Sequence, residues 1–395
     1  MNYILFDNFR RNNLLPLTFT RPVCEIRIGI MTMREKWEHF LDAKTSTLTE
    51  DYLSAKFPIK KEEDNLLING SVCPSEELVK EIQSLKQNQA LVDDTVIIAM
   101  HVREEELSEG DWDKAVIEEK ASETPYMKIN NSWEIFQHNG EALKKDFAIL
   151  TKGRKSKDPG KTNTLIGNDI FIEEGARIEC ATLNTETGPI YIGKDAVIME
   201  GALIRGPFAL GEGSVVKMGA KIYGPTTIGP HCKVGGEINN SVFFAYSNKA
   251  HDGFLGNSVI GEWCNLGADT NTSNLKNNYE DVKLWSYADQ TFVSTGLQFC
   301  GLIMGDHSKT GINTMFNTGT VVGVYSNIYG SGFQRNFIPS FVWGGTHGFS
   351  LYHLKKAMDV AKRVYERRGL EFNKIERDVL KNVFEKTLNN VSVYS

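Results

Sequence analysis

Residues 192–234 read IGKDAVIMEGALIRGPFALGEGSVVKMGAKIYGPTTIGPHCKV. A branched apolar residue occupies every sixth position, in the series Ile192, Ile198, Ile204, Leu210, Val216, Ile222, Ile228 and Val234. An α-helix repeats its apolar face about every 3.6 residues and a strand about every 2, so neither explains this period. A chain that turns a corner every six residues explains this period. The stretch therefore predicts a parallel β-helix with one short strand per hexad and three hexads per coil.

The same spacing extends the predicted solenoid to residues 164–345. Before the central stretch, the six-residue spacing occurs at Ile166, Ile172 and Ile178. After the central stretch, the spacing occurs again at Met304, Thr310, Phe316, Val322 and Ile328. Residues 269–290 are polar and rich in asparagine, and they interrupt the series. We expect them to leave the coil as an external loop, a type of loop that often reaches over a neighbouring active site.

The composition is that of an ordinary globular protein. A chain of 395 residues is too long for one core, so two or three domains are expected. The net charge of −6 and the pI near 5.9 argue against a nucleic-acid partner. No apolar run is long enough to span a bilayer, and MNYILFDNFRRNN lacks a signal-peptide core. The six cysteines form no CxxC pair and are interpreted as reduced thiols of a cytoplasmic protein.

The flanking regions predict other structures. Residues 1–150 alternate predicted strands, such as NYILFD, DNLLING and DDTVIIAMHV, with the amphipathic helix PSEELVKEIQSL, and this order favours an α/β domain with a parallel sheet. Residues 151–163 are basic and are expected to form a linker. Residues 346–395 predict two helices, the first ending at Gly369 and the second around residues 373–387, that cap or flank the solenoid.

The candidate chemistry lies where the six-residue spacing shifts. His251 follows the regular series, flanked by Lys249 and Asp252, and Glu237 precedes it by fourteen residues. Fourteen residues is slightly less than one coil, so we expect Glu237 close to His251. A carboxylate there would orient the imidazole and raise its basicity. A lone histidine is more often structural, but these neighbours favour a general base for acyl transfer to an amine, which also needs an N–H for the oxyanion.

The segment KAHDGFLGNSVIGEWCNLGADTNTSN (249–274) resembles the acetyltransferase motif of the GlmU-like family, the bifunctional enzymes that make UDP-N-acetylglucosamine. The resemblance covers roughly residues 190–325. It implies a left-handed β-helix, a homotrimer, and acetyl-CoA bound in a groove between subunits.

The resemblance also implies roles for single residues. His251 matches the catalytic base and Glu237 the acid that supports it. The matching substrate-binding positions are Lys221, Asn239, Phe254 and Asn265, and the matching acetyl-CoA positions are Ala268, Ser294 and Ile312. The family has a tyrosine at Phe254 and a phosphate-binding lysine at Asn239. Losing that charge-assisted bond could cost ~1.5–3 kcal/mol. Glucosamine-1-phosphate is thus the favoured acceptor, and another amino sugar or a nucleotide sugar remains open.

The segment RRNNLLPLTFTRPVCEIRIGI (10–30) resembles the start of sugar-1-phosphate nucleotidyltransferases, and DNLLINGSV (64–72) resembles their metal-binding strand end. The sequence departs from that family in three places. The segment FDNFRRNN replaces the glycine-rich phosphate loop. Ser71 replaces the metal-binding aspartate, and Val23 replaces a lysine. A phosphate cradle needs a tight glycine turn, so phosphate binding would depend on cationic side chains. The candidates are Arg11, Arg21, Arg27 and Lys36. Mg²⁺ is expected only if this domain is active, and a degenerate domain kept for folding or regulation is equally open.

These features favour an acetyl-CoA-dependent N-acetyltransferase acting on an amino-sugar phosphate, with nucleotidyl transfer from UTP left open. The alternative is a sugar-1-phosphate nucleotidyltransferase in which the β-helix serves as a trimerising or regulatory module. A β-helical metalloenzyme is disfavoured because His231, His251 and His307 include no HxxxxH pair, so no metal is expected in the solenoid. A binding scaffold without catalysis is the remaining alternative. The sequence predicts no nucleic-acid or membrane partner.

Overall fold

The computed structural model describes residues 1–93, 96–108 and 118–391. Its backbone contacts define two compact units. The first comprises Met1–Leu14, Thr20–Ile26 and Met31–Asn130, and the second comprises Leu15–Phe19, Arg27–Ile30 and the chain from Asn131 onward. These contacts group the helix Glu134–Thr151 with the solenoid, whereas the sequence-based ranges group it with residues 1–150. The predicted domain boundaries stay a prediction.

The first unit is built on one six-stranded sheet. Its strands are β1 (Asn2–Phe6), β2 (Thr45–Leu48), β3 (Asp64–Asn69), β4 (Gln89–Asp93), β5 (Val96–Arg103) and β6 (Glu118–Ala121), in the order β2-β1-β3-β5-β4-β6. The prediction of a parallel sheet is wrong for β5, which runs antiparallel to β3 and to β4. The reason is that no helix separates β4 from β5, and parallel neighbours need a crossover connection. Residues 94 and 95 of the predicted strand lie outside the described part.

Short helices surround this sheet: α1 (Met33–Leu41), α2 (Asp51–Ser54), α3 (Glu76–Gln83) and α4 (Glu104–Ser108). 3-10 helices cover Phe9–Leu14, which is two turns long, and the single turns Leu17–Phe19 and Val23–Glu25. The prediction of α3 is confirmed. Its N-cap Ser75 accepts a hydrogen bond from the Leu78 N–H at 3.1 Å, which satisfies one of the free donors of the first turn.

The second unit is a parallel β-solenoid with three faces. Face A holds Thr164–Ile166, Thr182–Asn184, Leu203–Arg205, Lys221–Tyr223, Glu237–Asn239 and Phe254–Gly256. Face B holds Ile170–Ile172, Ile190–Ile192, Phe208–Leu210, Thr226–Ile228, Val242–Phe243, Val259–Ile260, Leu302–Met304, Thr320–Val322 and Phe337–Ile338. Face C holds Arg177–Ile178, Val197–Ile198, Val215–Val216, Lys233–Val234, Asn248–Lys249, Lys309–Thr310, Asn327–Ile328, Val342–Gly345 and Gly348–Leu351. The predicted fold class is confirmed.

The inward stacking of the central series is also confirmed. All eight residues from Ile192 to Val234 are buried in one continuous core. Ile166 is the exception to the extended series. It pairs with Asn184, and its neighbour Leu165 takes the inward register, so Ile166 faces outward and is 38% exposed. Leu165 and Leu183 are eighteen residues apart, but Leu165 precedes the inward Ile172 by seven residues, so counting six back from Ile172 reaches the outward Ile166.

Aromatic rings line the corner between faces B and C. His231, Tyr246, Trp263, His307, Tyr325 and Phe341 follow one another along this corner. Each has a positive φ between 54° and 62°, a conformation that is unfavourable for residues other than glycine. Ring stacking offsets this cost; Tyr246 and Trp263, for example, lie parallel with centroids 4.2 Å apart.

The predicted interruption of the coil begins later than expected. Asn271–Thr272 is still a coil strand that pairs with Met315–Phe316, and Thr272 is buried. The chain then leaves the coil as a hairpin of Lys283–Ser286 and Thr291–Ser294. Trp285 stacks on Phe337 of face B at 4.4 Å. The excursion is thus an ordered hairpin held by aromatic packing.

Three helices complete the second unit: α5 (Glu134–Thr151), α6 (Leu354–Glu366) and α7 (Lys374–Val391). α6 and α7 match the predicted helices, and Tyr365 of α6 stacks on Trp263 at 4.2 Å. Asn139 of α5 bonds to the Pro225 carbonyl and to the Thr227 hydroxyl, both at 3.0 Å. Both contacts fix helices to the solenoid. Residues 392–395 of the predicted C-terminal segment lie outside the described part.

We predict that Leu210→Ala lowers the free energy of unfolding of the solenoid by ~2–5 kcal/mol, because Leu210 is fully buried in a central coil and the truncation leaves a cavity. Leu203→Ala is the matched control, since Leu203 faces outward and is 54% exposed. Chemical denaturation followed by circular dichroism measures both. Equal effects of the two substitutions would contradict the inward stacking.

Candidate active site

Face A aligns several of the predicted substrate-binding residues. The strand register places Lys221 beside Glu237 and Glu237 beside Phe254, so these three side chains occupy equivalent outward positions in successive coils. Asn239 occupies the second outward row, between Tyr223 and Gly256. Lys221 is exposed, whereas Glu237, Asn239 and Phe254 are half-buried. The structure therefore brings four of the predicted residues onto one surface.

Tyr223 holds the Glu237 carboxylate. Its hydroxyl donates a hydrogen bond to Glu237 Oε1 at 2.6 Å. This bond to a carboxylate, together with partial burial, raises the pKa of Tyr223. Within the described residues no hydrogen bond joins Glu237 to His251. The sequence analysis missed Tyr223, although its position two residues after Lys221 on one strand puts both side chains on the same face.

His251 lies at the corner between faces C and A. Asn248 pairs with Asn265 through an isolated parallel β-bridge, and Asn265 pairs with Lys309 in the same way. The residues three positions after each of these therefore occupy the same corner in three successive coils. These residues are His251, Ala268 and Ile312, the predicted base and two predicted acetyl-CoA contacts. We call this set the histidine corner. His251 is exposed and Ile312 is 70% exposed, so solvent reaches the corner.

Lys249 supports the turn that carries His251. It occupies the inward position that Val234 fills in the preceding coil, and it is 1% exposed. Its ammonium group donates hydrogen bonds to the carbonyls of His251 at 2.8 Å, Gly235 at 3.3 Å and Asp252 at 3.3 Å. Burial lowers the pKa of Lys249 to about 8. The sequence showed Lys249 next to His251 but gave no indication that its side chain points into the core.

Two predicted residues lie on other surfaces of the same protomer. Asn265 belongs to face C, where its side-chain oxygen accepts a long 3.5 Å hydrogen bond from Asn248. Ser294 belongs to the hairpin, opposite Lys283, and is exposed. Neither residue lies on face A or at the histidine corner, and their predicted roles stay predictions.

The loop after β1 is ordered without a glycine turn. Asp7 accepts hydrogen bonds from the Val23 N–H at 2.7 Å and from Thr49 at 2.5 Å, and it forms an ion pair with Arg11 at 3.0 Å. Burial raises the pKa of Asp7, while the Arg11 guanidinium opposes that shift. Arg11 is thus already bound within the loop, beside a cleft of about 400 Å³ that Asn8, Glu50 and other residues line.

The other three predicted phosphate-binding cations do not all belong to the same unit. Arg21 and Lys36 belong to the first unit and are buried, whereas Arg27 belongs to the second unit and is half-buried. Ser71 replaces the metal-binding aspartate, and its hydroxyl donates to Asn69 Oδ1 at 2.8 Å. Among the described residues no cluster of three or more His, Cys, Asp or Glu side chains could hold a metal ion. Ser71 therefore offers a hydroxyl where the nucleotidyltransferases that it resembles have a metal-binding carboxylate.

Two further observations concern the cysteines and the helices. All six cysteines are free thiols. None of the helices within the described ranges combines the length and apolar character needed to cross a membrane.

Comparisons with known proteins found one family and several relatives that are similar to parts of this chain. Residues 3–155 match the family described as sugar nucleotidyl transferase. A bifunctional sugar-1-phosphate nucleotidylyltransferase/acetyltransferase of Sulfurisphaera tokodaii is 33% identical over 206 residues, which are 52% of this chain and 45% of that protein. The bifunctional protein GlmU of Methanocaldococcus jannaschii is 34% identical over 87 residues, 22% of this chain and 21% of that protein. The chain is therefore similar in part to a sugar nucleotidyl transferase family and to bifunctional GlmU-like proteins. The chain spans less than half the length of either relative.

Solved structures give weaker similarity. An Arabidopsis UDP-N-acetylglucosamine acyltransferase is 15% identical, with a TM-score of 0.21 over 51% of this chain and 74% of that chain. The polysialic-acid-specific acetyltransferase NeuO is 15% identical, with a TM-score of 0.15 over 49% and 67% of the two chains.

The buried ammonium of Lys249 predicts a pH-dependent stability. The pKa is about 8 in the folded chain and ~10.4 when unfolded, so between these values the unfolded chain binds the extra proton. Relative to Lys249→Met, the free energy of unfolding of the wild type should rise from pH 8 to pH 10, by at most ~1.4 kcal/mol per pH unit. Urea titrations across this range measure the difference. Lys194→Met, at an exposed lysine, should leave the pH dependence of the wild type unchanged. Parallel curves for the wild type and Lys249→Met would contradict the assignment.

Proposed function

We propose that the protein transfers an acetyl group from acetyl-CoA to the amine of an amino-sugar phosphate, with glucosamine-1-phosphate as the favoured acceptor. The observation that carries this proposal is the histidine corner. His251 shares it with Ala268 and Ile312, directly before the strand that carries Phe254 on face A. A base, a donor-contacting edge and a substrate-binding face are thereby adjacent.

The chemistry follows from these groups. The amine attacks the thioester carbonyl carbon, a C–N bond forms, the C–S bond breaks, and coenzyme A leaves as a thiol. The His251 imidazole accepts the amine proton and passes it to the departing coenzyme A sulfur, and its exposed position leaves the ring accessible to an acceptor. The Ala268 N–H donates no hydrogen bond within the described residues, so it is available to the oxyanion. Tyr223 orients the Glu237 carboxylate on the adjoining face.

A homotrimer is part of the proposal. Asn265 on face C and Ser294 on the hairpin lie away from the histidine corner of their own protomer. Neighbouring copies packed face to face could supply both residues to one site, with acetyl-CoA in the groove between copies. We further propose a cytoplasmic location, in keeping with the six free thiols.

His251→Ala is expected to lower kcat for acetyl transfer by ~10²–10⁴-fold, the usual contribution of a general base. Formation of N-acetylglucosamine-1-phosphate from glucosamine-1-phosphate and acetyl-CoA, followed by mass spectrometry, measures it. His347→Ala, at another exposed histidine, should retain wild-type activity. Full activity of His251→Ala, with an unchanged circular dichroism spectrum, would reject the role of His251.

A second candidate function is nucleotidyl transfer by the first unit, because residues 3–155 match the sugar nucleotidyl transferase family. The Asp7–Arg11 pair and Ser71 replace the usual phosphate loop and metal ligand, so turnover would need a different binding mode. Pyrophosphate release from each of the four nucleoside triphosphates with N-acetylglucosamine-1-phosphate and Mg²⁺ tests it. Activity from this unit should survive His251→Ala. No pyrophosphate with any triphosphate would exclude this function.

A further inference from the structure

A long groove runs beside the proposed acceptor surface. It has a volume of about 1050 Å³ and lies between face A and helix α5. Ligand pockets usually measure ~300–1,000 Å³, so the groove is large for a single sugar phosphate. Its floor is formed by the outward residues of the strands that begin at Thr164, Thr182, Leu203 and Lys221, and its wall by Gly140, Glu141 and Lys144 of α5.

The wall is held rigidly. Asn139 of α5 is buried and bonds to Pro225 and Thr227 of the solenoid. A Cβ atom added at Gly140 would lie only 2.8 Å from the Pro225 ring, so the helix approaches the coil as closely as glycine permits. The groove is therefore a built feature of the second unit.

Its charge favours an anion. Lys144, Arg205 and Lys221 line the groove, and none of them forms an ion pair in the described ranges of the chain. The one carboxylate of the lining, Glu141, is paired with Lys145 at 2.7 Å. We call this set of three cations the cationic groove. Three unpaired cations along one groove, in a chain with a net charge of −6, indicate a ligand with more than one negative charge.

Its lower part favours a flat apolar group. Leu203 and Ile166 are both exposed there, at 54% and 38%. Ile166, Asn184, Arg205 and Tyr223 follow one another in the second outward row of face A, and Leu203 lies beside Arg205 on its strand. A base packed on Leu203 and Ile166 would place its attached phosphates against Arg205.

The upper end of the groove joins the proposed acetyl-transfer site. Lys221 lies in register with Glu237, and Tyr223 bonds to Glu237. Neighbouring strands lie ~4.8 Å apart, so Arg205 and Asn239, two strands apart, are separated by roughly 10 Å along the face. A sugar ring at Glu237 and Phe254 would thus be followed by phosphates at Lys221 and Arg205.

We infer that the acceptor is a nucleoside-diphosphate-linked amino sugar, whose diphosphate binds in the cationic groove and whose base packs on Leu203 and Ile166. This deepens the proposed function: a nucleotide-linked amino sugar takes the place of glucosamine-1-phosphate as the preferred acceptor, and the inference rests on the proposed function for the position of the amine. The inference also explains why Asn239 stands where the GlmU-like family has a phosphate-binding lysine. In this chain the positive charge lies two strands away, at Arg205.

Binding is tested without turnover. Isothermal titration of UDP, ADP, GDP and CDP should show at least one diphosphate whose binding is weakened tenfold or more by Arg205→Ala and by Lys144→Ala. Arg177→Ala is the matched control, because Arg177 is an exposed arginine on face C. A binding event in the first unit would persist in all three variants. Identical titrations of the wild type and Arg205→Ala with all four diphosphates would overturn the inference.

Turnover then separates the two proposals. With acetyl-CoA, kcat/KM should be at least tenfold higher for UDP-glucosamine than for glucosamine-1-phosphate. Arg205→Ala should raise KM for UDP-glucosamine at least tenfold, whereas the control Arg177→Ala should leave KM for both compounds unchanged. A preference for glucosamine-1-phosphate that is insensitive to Arg205 would overturn the groove and retain the acetyltransferase. Diphosphate binding that depends on Arg205, in a protein that acetylates neither compound, would support the groove and overturn the acetyltransferase.

Discussion

The structure depends on the parallel pairing of each coil with the next. Short strands exchange backbone hydrogen bonds in constant register, as in the pairs Ile192–Leu210 and Leu210–Ile228, and this register stacks branched side chains into one core. Outward side chains are aligned by the same pairing. Lys221, Glu237 and Phe254 therefore form a row because their backbones pair, although their side chains share no hydrogen bond with one another in the described part. A surface row on such a fold is a direct consequence of its core.

The proposed site lies where that regularity is disturbed. At the position of Val234 the next coil carries Lys249, and its buried ammonium binds the carbonyls of the turn that bears His251. An apolar residue at this position would pack in the core but would form no hydrogen bond to the carbonyls of the turn. A lysine with three carbonyl partners fixes the turn, and burial lowers its pKa as the cost of that arrangement.

Much of this fold could be predicted from sequence because each repeat places a branched apolar residue at the position that faces the core. Ile192 to Val234 needed only their spacing. Ile166 was misassigned because the step from Leu165 to Ile172 spans seven residues instead of six, and Thr272 was missed as a coil position because it is polar. Strand β5 was misassigned because strand direction depends on nonlocal pairing. Within the site, the positions of His251 and Ala268 follow from the coil count, whereas the Tyr223–Glu237 bond depends on the exact register between coils that differ in length.

The two ends of the solenoid explain why stacking stops. An open coil edge exposes unpaired N–H and C=O groups, and another chain could add to it indefinitely. At the first coil, the basic segment 152–163 covers this edge: the Lys157 N–H bonds to Ile172, and its ammonium group bonds to Ala176. At the last coil, Gly348–Leu351 turns back antiparallel on Val342–Gly345. Face C thus ends in a strand of reversed direction that offers no parallel template, which gives the solenoid a fixed length and protects it from fibrous polymerisation.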